Sequence, residues 1–439
     1  MRRFEDMDIV DLQELQIELQ NRYDEFKAQN LNLDMSRGKP GADQLDLTME
    51  MLDCINSESR LIAENGIDCR NYGLIDGIPE AKELFSKMLG VTTEEIIVGG
   101  NSSLNIMYDT VARAMTHGVL GSELPWGKLP KVKFLCPVPG YDRHFSICEF
   151  FGIEMINIDM KSDGPDMDAI EKLVSSDESI KGIWCVPKYS NPQGITYSDE
   201  VVDRFARLKP KAKDFRIFWD NAYAVHHLSD KHDELKDILA ACKEAGNPNM
   251  VFIFASTSKI SFPGAGVAMI ASSKENIDFI KKQMFFQTIG PDKINQLMHV
   301  RYFKTVEGIE EHMKKHAKIL KPKFDTVLSI LDAELGGKDI AWWNKPNGGY
   351  FISLDTMDGC AKDVVAMAKE AGVTLTKAGA TYPYGKDPHD RNIRIAPTYP
   401  TLEELKKAIE ILCICVQLVS IKKILKSRTH KLHLLKVGS

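Results

Sequence analysis

The 439-residue sequence lacks several features that would each assign it to a specialised class of protein. No apolar run approaches the ~18–20 residues needed to cross a bilayer, and residues 411–421 are the nearest to one. The formal net charge is −6, without the basic excess that broad nucleic-acid binding through phosphate groups requires. The N-terminus carries two arginines but no apolar core or cleavage site of a secretory signal. These absences predict a globular protein of the cytoplasm.

Cysteine is present, but in no arrangement typical of a zinc site or a disulfide framework. The nine cysteines, an odd number, are scattered, and none forms a C-x-x-C pair. Several lie in apolar runs such as FLCPV and IWCVP, where cysteine usually acts as a small buried hydrophobe. We therefore predict free thiols, a reducing compartment and no metal site.

The order of apolar and amphipathic segments predicts an α/β fold. Short β-rich runs alternate with helical patterns, which indicates a mostly parallel sheet with helices on both faces, a three-layer α/β/α arrangement. The predicted strands are EIIVGG (95–100), KVKFLCPV (131–138), EMINID (154–159), KGIWCVP (181–187), FRIFWD (215–220), MVFIFAS (250–256) and GVAMIAS (266–272). The predicted helices between them include 103–116, 168–175, 199–208 and 233–245.

The chain length predicts two or three domains, at roughly 150 residues per domain. Residues 51–300 are predicted to form the large domain, and residues 301–439 a small α+β domain with a basic tail. Residues 1–50, which begin with an amphipathic helix at about 7–30, are expected to join the small domain. After a helical block at about 274–335, the small domain is expected to contain GGYFISLD (348–355), a helix at about 361–371, NIRIAP (392–397) and a terminal helix from about 401.

Polar residues follow several of the predicted strands, at the edge where parallel sheets bind ligands. Asp220 ends a buried strand, where a carboxylate is costly unless it has a partner, so it is either part of a site or a structural cap. Lys259 is either a nucleophile or base at this edge or an ordinary solvated lysine. The segments concerned are GGNSS (99–103), PGY (139–141), NPQG (191–194), DNAY (220–223) and STSK (256–259).

A single cofactor, pyridoxal phosphate, would use all of these groups, because it needs a lysine, an acid for its ring nitrogen and a phosphate cradle. The string of PGY, NPxG, DxxY and SxSK, followed by PGAG and NIRIAPTYP (392–400), resembles the fold type I pyridoxal-phosphate aminotransferases of the aspartate aminotransferase superfamily. The resemblance runs from about residue 30 to 415. SRGKP (36–40), STSKISFPGAGVA (256–268) and NIRIAPTYP are most similar to a divergent bacterial-type subgroup, sometimes called Ic.

The resemblance implies a role for each matching residue. Lys259 would bind the cofactor covalently and carry the proton during catalysis, while Asp220 would pair with the ring nitrogen. Asn191 and Tyr223 would donate to the phenolic oxygen, and Tyr141 would stack on the ring. The residues matching the phosphate site are Asn101, Ser102, Ser103, Ser256 and Ser258.

The resemblance also implies where the substrate binds. Arg394, in NIRIAP, matches the arginine that pairs with the substrate α-carboxylate, with Asn191 beside it. A dicarboxylic substrate needs a second cation, which Arg37 or Lys39 could supply, with Gly38 allowing close approach. If either cation faces the pocket, aspartate and glutamate are the expected substrates. If neither does, an alanine-type or aromatic substrate is favoured.

One part of the pattern departs from the family, and one part implies a partner subunit. In many relatives an arginine follows the lysine by about eight positions and clamps the phosphate, whereas residues 260–270 contain no basic residue. The phosphate charge must then be met by hydroxyls, a helix N-terminus or a basic residue from elsewhere. The resemblance further implies a homodimer in which Tyr72, in RNYG, reaches across the interface to the partner's phosphate.

The predicted function is ping-pong transfer of an amino group between an amino acid such as aspartate and a 2-oxo acid such as 2-oxoglutarate. A β-eliminating C–S lyase or a decarboxylase is the alternative on the same scaffold, because a fold does not fix its chemistry. A pyridoxal-phosphate-binding regulator is the third hypothesis. It is disfavoured because the related regulators carry an N-terminal winged helix and fewer than 40 residues precede SRGKP.

The C-terminal tail has no acidic residue after Glu410. One interpretation is a basic amphipathic extension that contacts a membrane surface or an acidic partner. The other is a final helix that ends near residue 426, followed by a frayed polar end. The basic residues of the tail are Lys422, Lys423, Lys426, Arg428, Lys431 and Lys436.

Overall fold

The computed structural model describes the backbone of residues 2–437 and the side chains of residues 2–430. The strands are β1 (Leu33–Met35), β2 (Ile96–Val98), β3 (Lys133–Val138), β4 (Glu154–Lys161), β5 (Gly164–Pro165), β6 (Ile180–Cys185), β7 (Arg216–Asp220), β8 (Val251–Ser256), β9 (Ala268–Ala271), β10 (Ala341–Trp343), β11 (Ile352–Thr356), β12 (Val373–Leu375) and β13 (Asn392–Ile395). The helices are α1 (Ile9–Lys27), α2 (Ala42–Asp46), α3 (Pro79–Leu89), α4 (Ser103–His117), α5 (Asp142–Phe150), α6 (Met167–Ser176), α7 (Asp199–Ala206), α8 (Ile238–Glu244), α9 (Lys274–Met284), α10 (Lys293–Phe303), α11 (Val306–Leu335), α12 (Ala361–Glu370) and α13 (Leu402–Val437).

The centre of the protein is an eight-stranded sheet with the order β2-β9-β8-β7-β6-β3-β4-β5. Strands β8, β7, β6, β3 and β4 are parallel neighbours. Strand β9 is antiparallel to both β2 and β8, and β5 is antiparallel to β4. All the strands predicted between residues 95 and 272 are present, so the prediction of an α/β fold with a mostly parallel sheet is confirmed.

The strands of this sheet are buried on both faces. In β7, Ile217 and Trp219 pack in one core, whereas Phe218 packs in the other. The Phe218 ring centroid lies 5.2 Å from that of Phe134 and 4.8 Å from that of Trp184. Because alternate residues of a strand face opposite layers, a strand covered on both sides must be apolar throughout. This requirement explains the continuous apolar run that precedes Asp220.

Most of the helices begin where a short polar side chain accepts a hydrogen bond from the first turn, which satisfies a free backbone N–H group. These N-terminal caps are Asp8, Ser102, Asp166, Ser198, Asp237, Ser273, Asp292 and Thr305. The cap at Asp237 corrects the helix predicted over 233–245, which is helical only from residue 238 to residue 244.

The two ends of the chain share a second core. Strands β10, β11 and β13 form an antiparallel sheet, and the short strand β1 pairs in parallel with β12. Leu12 and Leu19 of α1 belong to the same apolar cluster as Leu405 and Ile409 of α13. The N-terminal segment therefore packs with the C-terminal part, while the domain limits at residues 50 and 300 stay a prediction.

The final helix extends further than predicted, because α13 continues to residue 437 rather than ending near 426. Its Arg428 donates from Nη1 to the Met7 carbonyl at 2.6 Å and from Nη2 to the Glu5 carbonyl at 2.7 Å. These bonds attach the tail to the N-terminal segment. The side chains of Lys431 and Lys436 lie outside the described residues. Within the described chain, no helix combines the length and apolarity needed to span a membrane.

Candidate active site

A buried carboxylate stands at the carboxyl end of the central sheet. Asp220, the last residue of β7, is 3% exposed. Its Oδ2 accepts a hydrogen bond from His144 Nε2 at 2.9 Å, and the His144 ring stacks on Trp184 with centroids 4.3 Å apart. Asp220 Oδ1 is also buried and has no hydrogen-bond partner among the described residues. Because an unpaired buried carboxylate oxygen is costly, this atom fits a donor that a ligand supplies.

Lys259 lies on the loop that follows β8, beside two tyrosine rings. Its Nζ is 5.1 Å from the ring centroid of Tyr223 and 5.4 Å from that of Tyr350. Burial lowers the pKa of the Lys259 amine; the Asp220 carboxylate opposes this shift, and the Arg394 charge adds to it. A lowered pKa increases the fraction of uncharged amine, which is the nucleophilic and basic form.

Tyr141 and Tyr223 complete the aromatic lining. The Tyr141 ring meets His144 edge-on at a centroid distance of 4.9 Å, close to the buried Asp220 pair. Burial raises the pKa of Tyr141 to about 12, and the Asp220 charge contributes to the shift. Burial also raises the pKa of Tyr223 well above its usual value. Both phenols therefore remain protonated near neutral pH.

The guanidinium of Arg394, on β13, is held from several sides at 6% exposure. Its Nε donates to Thr376 Oγ1 at 3.3 Å, and its Nη1 donates to Asn191 Oδ1 at 3.3 Å and to Asp142 Oδ1 at 3.1 Å. The guanidinium carbon lies 4.8 Å from the ring centroid of Phe351. Nη2 donates no hydrogen bond to any acceptor within residues 2–430. Arg394 thus keeps one side open for an anion.

The segment SRGKP is placed next to this arginine by a close contact of its glycine. A Cβ on Gly38 would lie 2.3 Å from Cζ of Phe351, so no larger residue fits without moving that ring. The Phe351 ring in turn packs on the Arg394 guanidinium. Gly38 and Arg394 therefore both lie against the Phe351 ring.

Three predicted residues are not joined to the others by contacts within one chain. Lys39 Nζ lies 3.9 Å from the ring centroid of Tyr399, at the surface. Arg37 is exposed and forms no ion pair in the described part of the chain. Tyr72 is 78% exposed, and its backbone N–H donates to Oδ1 of the neighbouring Asn71. The roles of these three residues stay predictions.

Two loops beside Lys259 carry Asn101, Ser102, Ser103, Ser256 and Ser258, which we call the polar wall. Ser102 caps α4, whose first residue is Ser103, and Asn101 Nδ2 donates to a backbone carbonyl of the 257–267 loop at 3.2 Å. Ser256 Oγ and Ser258 Oγ are 3.0 Å apart. No lysine or arginine hydrogen-bonds to these side chains in the region the structure describes. The wall therefore offers hydroxyls, an amide and a helix N-terminus to an anion.

Several residues of the site were missed by the sequence analysis. His144 follows Tyr141 by three positions, a spacing that places both near the start of one helix and that could have suggested it. The others come from remote segments, and no local pattern marks them. The missed residues are Asp142, His144, Trp184, Tyr350, Phe351 and Thr376.

Known proteins similar to this chain include aminotransferases. The family model described as aspartate amino-transferase matches residues 7–428. The chain belongs to the aspartate aminotransferase family. An aspartate aminotransferase of Corynebacterium glutamicum is 46% identical over 428 residues, which cover 96% of this chain and 99% of that protein.

Solved structures give the same result. The crystal structure of an aspartate transaminase from Corynebacterium glutamicum matches with a TM-score of 0.93 and 45% identity, covering 96% of this chain and 99% of the other. The α-aminoadipate aminotransferase of Thermus thermophilus, complexed with N-(5'-phosphopyridoxyl)-L-leucine, shares the fold at a TM-score of 0.73. Its identity is 18%, over 88% of this chain and 92% of that one.

Family membership confirms the predicted resemblance, the fold class and the assignment as an aminotransferase. The part played by each individual side chain is a separate matter, because the comparisons align whole chains.

Proposed function

We propose that this aminotransferase uses pyridoxal phosphate to transfer the amino group of aspartate, or a similar amino acid, to a 2-oxo acid such as 2-oxoglutarate. The observation that carries the proposal is Asp220, bonded to His144 on one oxygen and unpartnered on the other, beside the Lys259 amine. The preference for aspartate is supported by the name of the Corynebacterium glutamicum relative.

The residues at the sheet edge fit pyridoxal phosphate. When bound, the cofactor withdraws electrons from the Cα of the amino acid and makes the Cα proton acidic. Asp220 Oδ1 would accept a hydrogen bond from the ring nitrogen, and its charge would hold the proton there. Asn191 uses its Oδ1 for Arg394, which leaves its Nδ2 and the Tyr223 hydroxyl to donate to the phenolic oxygen. The polar wall at Ser256 would take the phosphate.

Lys259 would perform two tasks in turn. Its amine would hold the cofactor covalently in the resting enzyme and would become free when substrate binds. The free amine would then accept the Cα proton of the amino acid and give a proton back to complete the transfer. Because burial lowers the pKa of Lys259, a larger fraction of the released amine is uncharged and able to act as a base.

Arg394 would bind the substrate α-carboxylate through its open Nη2 side. We expect the Arg394→Lys variant to raise KM for amino donors by roughly 10- to 100-fold, with a smaller effect on kcat. A lysine keeps the charge but loses the planar pair of donors that matches a carboxylate. Initial rates at varied donor concentration measure this effect. Arg391→Lys, the same change at a more exposed residue flanking β13, is the control and should leave KM within twofold or so.

The proposed reaction predicts a distinctive half-reaction. Adding an amino acid without an oxo acid should convert the bound cofactor to its amino form once, with one equivalent of oxo acid released, and then stop. Steady release of pyruvate, ammonia or carbon dioxide would instead indicate elimination or decarboxylation.

A panel of aspartate, glutamate, alanine and phenylalanine against 2-oxoglutarate then identifies the donor. Loss of the aspartate preference in Arg37→Gln or Lys39→Gln would show that the substituted residue binds the distal carboxylate of the substrate.

We further infer a homodimer located in the cytoplasm. Tyr72 at 78% exposure, Phe285 at 73% and Phe286 at 88% are unusually exposed for large apolar side chains, which favours coverage by a second copy. The nine cysteines are all free, as expected in a reducing compartment. Light scattering coupled to size-exclusion chromatography tests the dimer, and a monomer of about 49 kDa would contradict it.

A further inference from the structure

One contact of Arg394 is unlike the others, because its partner is itself a carboxylate. Thr376 and Asn191 are neutral acceptors, and they leave the charge of the guanidinium available to a ligand. Asp142 Oδ1, in contrast, forms an ion pair with Nη1 at 3.1 Å. The anion that Arg394 is proposed to bind would therefore meet a negative charge already in place.

A substrate carboxylate that pairs with the open Nη2 and reaches across to Nη1 would meet Asp142 there, and two carboxylates at one nitrogen repel each other strongly because the site is largely shielded from water. Asp142 is the residue that can withdraw. It is the first residue of α5 and is 34% exposed, whereas Arg394 is 6% exposed and is also held by Thr376, Asn191 and the Phe351 ring. Near a helix N-terminus and in contact with solvent, the displaced carboxylate remains well stabilised.

We propose that Asp142 is an internal competitor for the substrate α-carboxylate at Arg394 and thereby a residue that sets KM. This inference rests on the proposed function. In the resting enzyme Asp142 partly neutralises the buried guanidinium. When a substrate binds, its α-carboxylate displaces Asp142, and the cost of breaking that ion pair weakens binding. Because every amino acid and oxo-acid substrate carries this carboxylate, the effect extends to all of them, whatever their side chain.

The test compares two substitutions of Asp142. Asp142→Asn keeps an oxygen that can accept from Nη1 but removes the charge, and Asp142→Ala removes both. Competition predicts that both variants lower KM by roughly three- to tenfold, with kcat within about twofold of the parent. The decrease should be similar for aspartate and for alanine. Glu149→Gln, an exposed charge removal later on α5, is the matched control and should leave KM unchanged.

A purely structural role of Asp142 would not lower KM in these variants. If Asp142 only positions Arg394, the alanine variant raises KM and the asparagine variant leaves it unchanged, and either of these results overturns the proposal. Thermal melting of each variant separates loss of folding from loss of binding.

Binding of succinate, an unreactive dicarboxylate, is measured on the holoenzyme by calorimetry as a second readout. We expect its Kd to fall in parallel with KM in both Asp142 variants. If the protein shows no amino-transfer activity but the Asp142 variants bind succinate more tightly, the proposed function is refuted and competition at Arg394 is supported. Active variants with unchanged KM and Kd would refute only the competition.

Discussion

Replacing Lys259 with alanine is expected to lower kcat by about 10⁴-fold or more, the largest effect of any single substitution in this protein. The substitution removes both the covalent attachment of the cofactor and the base that moves the Cα proton. Tyr223 and Tyr350, the rings beside Nζ, cannot replace the base, because burial keeps both phenols protonated. Stopped-flow absorbance of the half-reaction and steady-state rates measure the loss.

Two comparisons make this result specific. Lys274→Ala removes an exposed lysine at the start of α9 and should leave kcat within about twofold. In the Lys259→Ala variant, the visible absorbance of covalently bound cofactor should be absent, and a small primary amine such as methylamine should restore part of the rate. A variant that keeps more than a few per cent of the parent activity would show that another group carries the proton.

Residues of the candidate site were predictable where a polar segment directly follows an apolar strand. The apolar run before Asp220 and the run before Ser256 each end at the same edge of the sheet, because parallel strands share a direction. A carboxylate at the end of a buried strand is conspicuous in a sequence, since burial without a partner is costly. For this reason Asp220 and Lys259 could be named as candidates before the fold was known, and the resemblance to the family then implied their roles.

The surroundings of Arg394 could not be predicted in the same way. Thr376, Asn191 and Asp142 reach the guanidinium from three separate segments, and Asp142 lies 252 positions away in the chain. Such contacts depend on how the β13 sheet packs against the central sheet, which no local spacing encodes. The partner of Asp220 Oδ2, His144, is also remote, at 76 positions.

The difference between local sequence patterns and remote contacts also explains which elements of the fold were predicted correctly. Strands of the central sheet carry long apolar runs, so their positions were predicted closely. Strand β1 has three residues, too few to show a period, and it forms only because β12 pairs with it in parallel. Helix α13 bonds through Arg428 to the Met7 carbonyl at the opposite end of the chain, a contact that no local pattern encodes.

Replacing Asp220 with asparagine is expected to lower kcat by roughly 10²- to 10³-fold, the second-largest effect. Asparagine preserves the shape and can still accept from His144, but it has no charge to hold a proton on the ring nitrogen of the cofactor. Without that proton the ring withdraws electrons less effectively from Cα. We therefore expect the loss to fall on the proton-transfer step, with substrate binding at Arg394 changed much less.

The charge and the hydrogen bonds of Asp220 are separated by a series of variants. Asp220→Glu retains the charge with altered reach and should keep more activity than Asp220→Asn, whereas Asp220→Ala also leaves His144 without its partner and should be the least stable. Asp230→Asn, an exposed change in the next loop, controls for the loss of one charge. A deuterium isotope effect on Cα–H cleavage should increase in Asp220→Asn, because proton transfer becomes more rate-limiting. An asparagine variant with full activity and an unchanged isotope effect would mean that the unpartnered Oδ1 does not face the cofactor.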